Sequence, residues 1–162
     1  MAKNKEEKTN VMRVLEQKKI AYTAHTYPHE EGVAVDGVTV AQSMGFDPAI
    51  VFKTLVARGA SKQYYVFDVP VAENLDLKKA AKAVGEKSIE MIHQKELLPL
   101  TGYVHGGCSP VGMKKLFPTV FHETAENLET MIVSAGKIGY QVEVAPQALI
   151  ALVRAGTAEL TI

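Results

Sequence analysis

The strongest constraint on the fold is a pair of apolar segments within VFKTLVARGASKQYYVFDVP, which begins at Val51. Valine, phenylalanine and tyrosine are frequent in both segments, and these residues favour extended strands. Gly59, Ala60 and Ser61 lie between the segments and can form a short turn. The stretch therefore predicts a β-hairpin, around which the rest of the chain must be arranged.

Capping residues and hydrophobic spacing predict short helices and strands along the rest of the chain. The predicted helices run from a cap at Thr9 or Asn10 to near Lys19 and over residues 38–44, 78–84, 94–98 and 146–153, with a brief turn after Asp47-Pro48. Further strands are predicted at residues 20–26, 102–105, 120–122, 131–134, 141–144 and 159–162. This irregular order favours an α+β class with a mixed, curled, barrel-like sheet and flanking helices.

Composition restricts the class of protein. The chain has 162 residues, of which 47% are hydrophobic, and this size fits one domain over residues 9–162 after a polar, flexible segment, 1–8. Its formal net charge is zero, which excludes a global field that would pull it onto nucleic acid or a membrane. No signal-peptide pattern or long apolar run is present, and the single cysteine fits a reducing compartment, so we expect a cytoplasmic protein.

Lys53 is the first candidate site residue, because it interrupts an apolar run that includes Phe52 and Leu55. Strand alternation must place some residues outside, so one interpretation is a surface lysine with a solvated head. The other is a cation that holds a phosphate or a carboxylate in a pocket. The sequence alone leaves both open.

The segment HGGCSPVG contains the only cysteine of the chain, Cys108. A nucleophilic Cys108 would need a base, for which His105 is the nearest candidate, but a small buried cysteine is the commoner state. A second interpretation assigns the chemistry to the backbone, because Gly106 and Gly107 allow N–H groups to converge on an oxyanion, in a turn that Pro110 stiffens. The third is an ordinary glycine-rich turn.

Neither the histidine-rich segment 25–31 nor the turn that follows Ser134 matches a strong motif. The segment lacks the spacing of a zinc-binding HExxH helix, and no calcium loop is present. The turn has the composition of a phosphate-binding loop without the spacing of a Walker motif. We therefore predict no metal site.

Four segments, taken in order, resemble the YbaK family of aminoacyl-tRNA deacylases. They are HTYPHE around Tyr27, VFKTLV with Lys53 and Thr54, GGCSPVGMKK from Gly106, and VSAGKIG with Ser134. The resemblance covers nearly the whole chain. The family includes free-standing bacterial Cys-tRNA(Pro) deacylases and is similar to the editing domain of prolyl-tRNA synthetase, so it implies that fold for a single editing domain.

The resemblance implies a trans-editing reaction: cleavage of the ester that joins cysteine to the terminal adenosine of tRNA(Pro), with Cys-tRNA(Cys) as a further substrate. It implies no metal and no cofactor, and the thiol of the substrate cysteine would itself take part. Cysteine and proline have similar volumes, so a synthetase pocket that selects by shape discriminates between them by only about 1–3 kcal/mol of binding free energy. A second site that hydrolyses the wrong product improves fidelity. The resemblance also implies docking on prolyl-tRNA synthetase, because an enzyme that contacts only the acceptor end discriminates little among tRNAs.

The same resemblance assigns roles to residues. Lys53 would contact the terminal adenosine or its phosphate, and the turn after His105 would supply backbone donors to the carbonyl. The implied catalytic set is Lys53, Gly106, Gly107, Cys108, Ser109 and Pro110, and the implied substrate-binding set is Tyr27, Thr54, Ser134, Gly136 and Gln141.

Gln141 departs from the family pattern, in which an aspartate is frequent at this position. If that aspartate binds the substrate amine, the ion pair becomes a neutral hydrogen bond here, which weakens binding or widens the choice of amino acid. Two other functions also stay open. One is a cysteine hydrolase that uses Cys108 with His105, and the other is a non-catalytic module that binds a tRNA end or a nucleotide in the Lys53 pocket.

Overall fold

The computed structural model describes residues 8–162. The helices are α1 (Asn10–Gln17), α2 (Gly37–Met44), α3 (Leu77–Val84), α4 (Gln94–Thr101) and α5 (Pro146–Val153), with 3-10 turns at Pro48–Ile50 and Glu123–Asn127. The strands are β1 (Tyr22–Thr26), β2 (Phe52–Gly59), β3 (Tyr64–Pro70), β4 (Ile89–Met91), β5 (Thr119–His122), β6 (Met131–Ser134), β7 (Tyr140–Val144) and β8 (Gly156–Ala158).

The strands form two sheets. One has the order β1-β7-β6 and is antiparallel throughout. The other has the order β4-β2-β3-β5-β8, in which β3, β5 and β8 pair in parallel and the remaining pairs are antiparallel. The α+β class, the mixed pairing and the β2–β3 hairpin are therefore confirmed, although the two sheets do not close into a barrel.

Side-chain caps explain where the helices begin. Thr9 Oγ1 accepts a hydrogen bond from the amide of Met12 at the start of α1, and the carboxylates of Asp36 and Asp76 cap α2 and α3 in the same way. Helices α2 and α3 end at Gly45 and Gly85, which have positive φ angles. These short helices are fixed mainly by such ends and by tertiary packing.

The main core lies between the two sheets and the helices that cover them. Helix α1 contributes Val11 and Leu15, and α5 contributes Leu149, all with no exposed side-chain surface. They pack with strand residues from both sheets, including Phe121 of β5 and Val142 of β7. Because one core joins both sheets, the strand ends that surround the candidate site are held in a fixed relation.

Two predicted strands are wrong. Residues 102–105 are not a strand, because the amide of Tyr103 donates to Thr101 Oγ1 and the amide of Gly107 donates to the Val104 carbonyl, so the chain turns instead. Residues 159–162 are not a strand either. The last strand is the earlier segment β8, and only an isolated bridge from Thr161 follows it.

Two elements differ in extent or were not predicted. Helix α4 does not end before Pro99 but continues to Thr101, whose hydroxyl donates to the Leu97 carbonyl. A proline inside a helix removes one N–H donor, and the hydrogen bonds of the next turn compensate here. Strand β4 was not predicted, because its three residues show no alternation.

Two further expectations concern the N-terminal segment and membrane-spanning helices. The flexible segment predicted at residues 1–8 lies outside the described residues except for Lys8. Among residues 8–162, no helix is long and apolar enough to span a bilayer.

Candidate active site

A cavity of about 200 Å³ opens where β2 begins, beside the ends of β6 and β7. The start of α2 and the loop after α4 complete its walls. The residues that line it are Tyr27, Val35, Asp36, Gly37, Val40, Val51, Phe52, Lys53, Thr54, Leu55, Val71, Leu97, His105, Gly106, Cys108, Ser134 and Gln141. The cavity thus brings together seven of the predicted site residues from five separate parts of the chain.

Lys53 is partly exposed in the wall of this cavity and supplies its positive charge. Burial lowers the pKa of its ammonium group below the usual value, while the carboxylates of Asp36 and Glu73 act in the opposite direction. Asp36 lies in the same cavity wall, because its side chain caps the first turn of α2. The predicted pocket cation therefore lies in a cavity, where it can bind an anionic or strongly polar group.

Thr54 lines the cavity beside Lys53 and is anchored from behind by a buried acid. Its Oγ1 donates to Oδ1 of Asp68 over 2.6 Å, and the two residues are directly opposite each other in the β2–β3 register. Asp68 has no exposed surface, and its Oδ2 has no hydrogen-bond partner among residues 8–162. Burial raises the pKa of the Asp68 carboxyl to about 8, against the opposing effect of the Thr54 hydrogen bond.

The glycine turn forms one wall through its backbone. Gly106 has a φ of 90°, and a Cβ there would lie 2.7 Å from the Cβ of Ala34, so the position has room only for glycine. The amide of Gly107 donates to the Val104 carbonyl, and Gly107 does not line the cavity. Within the described chain, the amides of Gly106 and Cys108 donate to no other group. Both residues line the cavity, so their amides are the candidate donors to a ligand.

Three predicted site residues lie behind the wall rather than in it. Ser109 is fully buried, and its Oγ accepts from the amide of Val111. Pro110 is buried beside it. Gly136 donates its amide to Ser134 Oγ, and a Cβ on Gly136 would lie 3.0 Å from the ring of Tyr103. These residues fix the shape of the turns that carry the cavity residues.

Cys108 lines the cavity but is not activated. It is 8% exposed, and burial, with a smaller contribution from the Asp68 charge, raises the pKa of its thiol to about 12. His105 is exposed and also lines the cavity, and no hydrogen bond joins it to Cys108 in the described part of the chain. A thiol with this pKa is almost entirely protonated near neutral pH, which argues against a nucleophilic role.

The opposite wall presents polar side chains from the small sheet. Ser134 and Gln141 are direct partners in the β6–β7 register, and both are buried. Gln141 Oε1 has no hydrogen-bond partner among the described residues. Tyr27 is 4% exposed and is held by a backbone bond from its amide to the Gly139 carbonyl. Gln141 is thus a cavity residue whose buried acceptor has no donor within the described chain, and a rotation of its side chain would bring that acceptor to a ligand.

The structure also shows residues that the sequence analysis missed. Asp36 was not considered, although an acid just before a helical pattern was a visible cap signal. Asp68 was not considered either, although a charged residue inside YYVFDVP is unusual for a buried strand. The apolar walls from Val40 and Val71 could not be foreseen, because only the fold brings them to Lys53. No group of three or more metal-ligating side chains occurs among residues 8–162.

Comparisons with known proteins show the family and agree with the fold. The family model described as the aminoacyl-tRNA editing domain matches residues 32–152. A protein of Enterococcus faecalis named Cys-tRNA(Pro)/Cys-tRNA(Cys) deacylase EbsC is 46% identical over 162 residues, which cover 99% of this chain and 98% of that protein.

Solved structures show the same fold. A crystal structure titled as a trans-editing enzyme for prolyl tRNA synthetase is 26% identical and has a TM-score of 0.79, with 94% of each chain covered. A hypothetical protein with 18% identity has a TM-score of 0.82, with 94% of this chain and 99% of that chain covered, and supports the fold alone. The chain therefore belongs to the family of aminoacyl-tRNA editing domains, of which the YbaK-type deacylases are members.

Proposed function

We propose that this protein is a trans-editing deacylase, which cleaves the aminoacyl ester of Cys-tRNA(Pro) and also of Cys-tRNA(Cys). The observation that carries the proposal is the cavity that unites Lys53, Thr54 and the free amides of Gly106 and Cys108. The 46% identity to a protein named for this activity, over nearly the whole length of both chains, supports the choice of substrate.

The size of the cavity indicates which part of the substrate enters it. At about 200 Å³, it is smaller than the roughly 300–1,000 Å³ of pockets that enclose drug-sized ligands. A cavity of about 150 Å³ holds one benzene molecule, so a cysteinyl group fits here whereas a whole nucleotide does not. The terminal adenosine then lies at the mouth, where Lys53 binds its ribose or phosphate oxygens.

The proposed chemistry needs little more than positioning and donors to an oxyanion, because an aminoacyl ester is already activated. We assign the donors to the amides of Gly106 and Cys108, since the amide of Gly107 is engaged with Val104. Two preorganised donors of this kind stabilise the negative charge that develops on the carbonyl oxygen. The side chain of Cys108 takes no part, because burial keeps its thiol protonated.

The attacking sulfur belongs to the substrate. Its thiol attacks the ester carbonyl, the S–C bond forms, and the C–O bond to the ribose breaks. The thiol proton ends on the released ribose hydroxyl, and water then opens the thiolactone to free cysteine. This intramolecular route gains from proximity and requires no nucleophile from the protein.

Gln141 contributes to recognition of the amino group. Its buried Oε1 lacks a partner in the described chain and can accept a hydrogen bond from the substrate amine. A neutral amide binds an ammonium less strongly than a carboxylate does. We therefore expect this protein to select for a free substrate amino group less strongly than a relative with an aspartate at this position does.

The choice of tRNA requires a partner. With a formal net charge of zero, the protein has no global attraction for the tRNA body. We propose that it reaches tRNA(Pro) by docking on prolyl-tRNA synthetase. Gel filtration of the three components tests this point: a shared complex supports docking, and three separate peaks contradict it.

The experiment that tests the activity compares Cys-tRNA(Pro) with Ser-tRNA(Pro), because serine replaces only the sulfur by oxygen. We expect fast release of cysteine and slow release of serine, each measured against the rate without enzyme. Equal rates would contradict the substrate-thiol mechanism. Tight binding without any cleavage would instead favour a module that only binds the tRNA end.

A further inference from the structure

Asp68 is a buried acid that has no role in the mechanism above. It has no exposed surface and does not line the cavity, but its Oδ1 accepts the hydroxyl proton of Thr54, which does. It lies on the same strand face as Val66, in a core that also contains Phe121 and Cys108. This position behind the cavity wall raises the question of what the acid does there.

A gain in stability does not explain Asp68. Burying a carboxyl group costs free energy unless all its oxygens are satisfied, and Oδ2 has no partner among residues 8–162. The β2–β3 pairing needs no acid at this point, because it is made by the backbone. An apolar side chain of similar size would fill the same place without the unsatisfied oxygen.

The hydrogen bond to Thr54 has a consequence for the cavity. A threonine hydroxyl has one proton and two lone pairs. Because the proton of Thr54 is directed to Asp68, the hydroxyl can only accept any further hydrogen bond. Without Asp68, the hydroxyl could rotate and present its proton to the cavity instead.

We propose that Asp68 is a positioning residue, which fixes the Thr54 hydroxyl as a hydrogen-bond acceptor for the aminoacyl group of the substrate. Gln141 also lines the cavity, and its buried Oε1 has no partner among residues 8–162, so after a side-chain rotation it would be a second acceptor for donors such as the substrate amine. The inference rests on the proposed deacylase function and deepens it. It explains how two uncharged side chains, Thr54 and Gln141, favour a substrate with a free amino group.

The test is a double-mutant cycle on deacylation of Cys-tRNA(Pro), with Asp68→Val, Thr54→Val and both together. Each single change should lower kcat/KM roughly tenfold, which is the effect of one well-placed hydrogen bond. The double variant should be no worse than Thr54→Val, because Asp68 acts through Thr54. A multiplied loss of roughly a hundredfold in the double variant would overturn the proposal.

Conservative variants separate positioning from general damage to the fold. Asp68→Asn keeps an oxygen that can accept from Thr54, so it should retain activity within about threefold of the unmodified protein. If Asp68→Val does not fold, Asp68→Leu, which also lacks an acceptor for Thr54, takes its place in the cycle, and the same rule applies: a multiplied loss overturns the proposal. An Asp68→Asn variant as inactive as Asp68→Val would also overturn it, provided that both fold.

A second readout does not depend on activity. In the infrared spectrum at pH 6, the carbonyl band of the protonated Asp68 carboxyl is identified by its loss in Asp68→Asn. Thr54→Val should shift this band to higher frequency, because the oxygen loses a donor. An unshifted band would overturn the proposal, whereas failure of the unmodified protein to release cysteine, with the shift present, would overturn only the deacylase function.

Discussion

Val51 and Ile132 form a parallel β-bridge that links the two sheets of the protein. Val51 precedes Lys53 by two residues, and Ile132 precedes Ser134 by two residues. The bridge therefore brings the start of β2 alongside the end of β6, and cavity residues from both sheets meet there. The candidate site depends on this junction between the sheets rather than on either sheet alone.

The first prediction concerns this junction. Ile132 is completely buried, so Ile132→Ala should lower the free energy of unfolding by about 2–5 kcal/mol through the lost contacts and the cavity left behind. It should also lower kcat/KM in protein that is still folded, because the sheets lose their fixed relation. Ile132→Val is the matched control and should cost about 0.5–1.5 kcal/mol. Denaturant unfolding and deacylation kinetics check both, and full activity in Ile132→Ala would contradict this account of the junction.

The second prediction concerns Lys53. Lys53→Ala should fold with nearly unchanged stability, because the side chain is partly exposed, but lose roughly 10- to 100-fold in kcat/KM with the charge-assisted contact to the substrate. Lys82→Ala, at an exposed position of α3 outside the cavity, is the control and should leave the kinetics unchanged. Unchanged kinetics in Lys53→Ala would remove this residue from the site.

The third prediction concerns the turn at Gly106. Gly106→Ala should abolish most of the activity, because the new methyl group meets Ala34 and displaces the turn whose amides we propose as donors to the oxyanion. Gly45→Ala is a matched control. Gly45 also has a positive φ, but a Cβ there meets no atom within 4 Å. Gly45→Ala should lose about 1–2 kcal/mol of stability from backbone strain alone. Gly106→Ala should lose more than this because of the clash with Ala34, and it alone should lose activity. Equal activity in the two variants would exclude a role for this turn.

The fourth prediction concerns the pH dependence of stability. Burial raises the pKa of Asp68 to about 8 in the folded protein, whereas an unfolded chain has an aspartate pKa of about 4. Between these values the folded state binds more protons, so the free energy of unfolding falls as pH rises, by about 1.4 kcal/mol per pH unit at most. The contribution is complete below about pH 4 and is lost above about pH 8.

Asp68→Asn removes this titration and serves as the comparison. Urea unfolding of both proteins from pH 5 to pH 8.5 should show that the unmodified protein loses stability relative to the variant as pH rises. Two parallel curves would mean that Asp68 has an ordinary pKa in the folded protein.

Much of the fold could be predicted from local signals. Hydrophobic spacing and the proline at the start of α5 predicted its correct bounds, and β-rich segments around a turn predicted the hairpin, because these signals are local in sequence. Strand pairing between segments far apart in sequence could not be predicted. The strand predicted at residues 102–105 is wrong, because the aromatic Tyr103, a residue type frequent in strands, lies in a turn here. Helix α4 extended past Pro99 because tertiary contacts and later hydrogen bonds outweigh the loss of one donor.

The candidate site was predicted in part. Lys53 was identified as a charged residue in an apolar strand, and Gly106 as part of a glycine-rich turn. Both residues line the cavity. Whether Cys108 could react was open in the sequence, because thiol reactivity depends on burial and on neighbouring charges. Asp36 and Asp68 were missed because their importance lies in contacts between segments that are far apart in sequence.

The most direct test of the central claim, that the reacting thiol belongs to the substrate, is the time course of cysteine release from Cys-tRNA(Pro). The unmodified protein and Cys108→Ala are compared side by side, with an enzyme-free control and unfolding curves to confirm that the variant folds. Equal rates of cleavage by the two proteins are expected. Cleavage by the unmodified protein alone, with a folded variant, would contradict the account and identify Cys108 as the nucleophile.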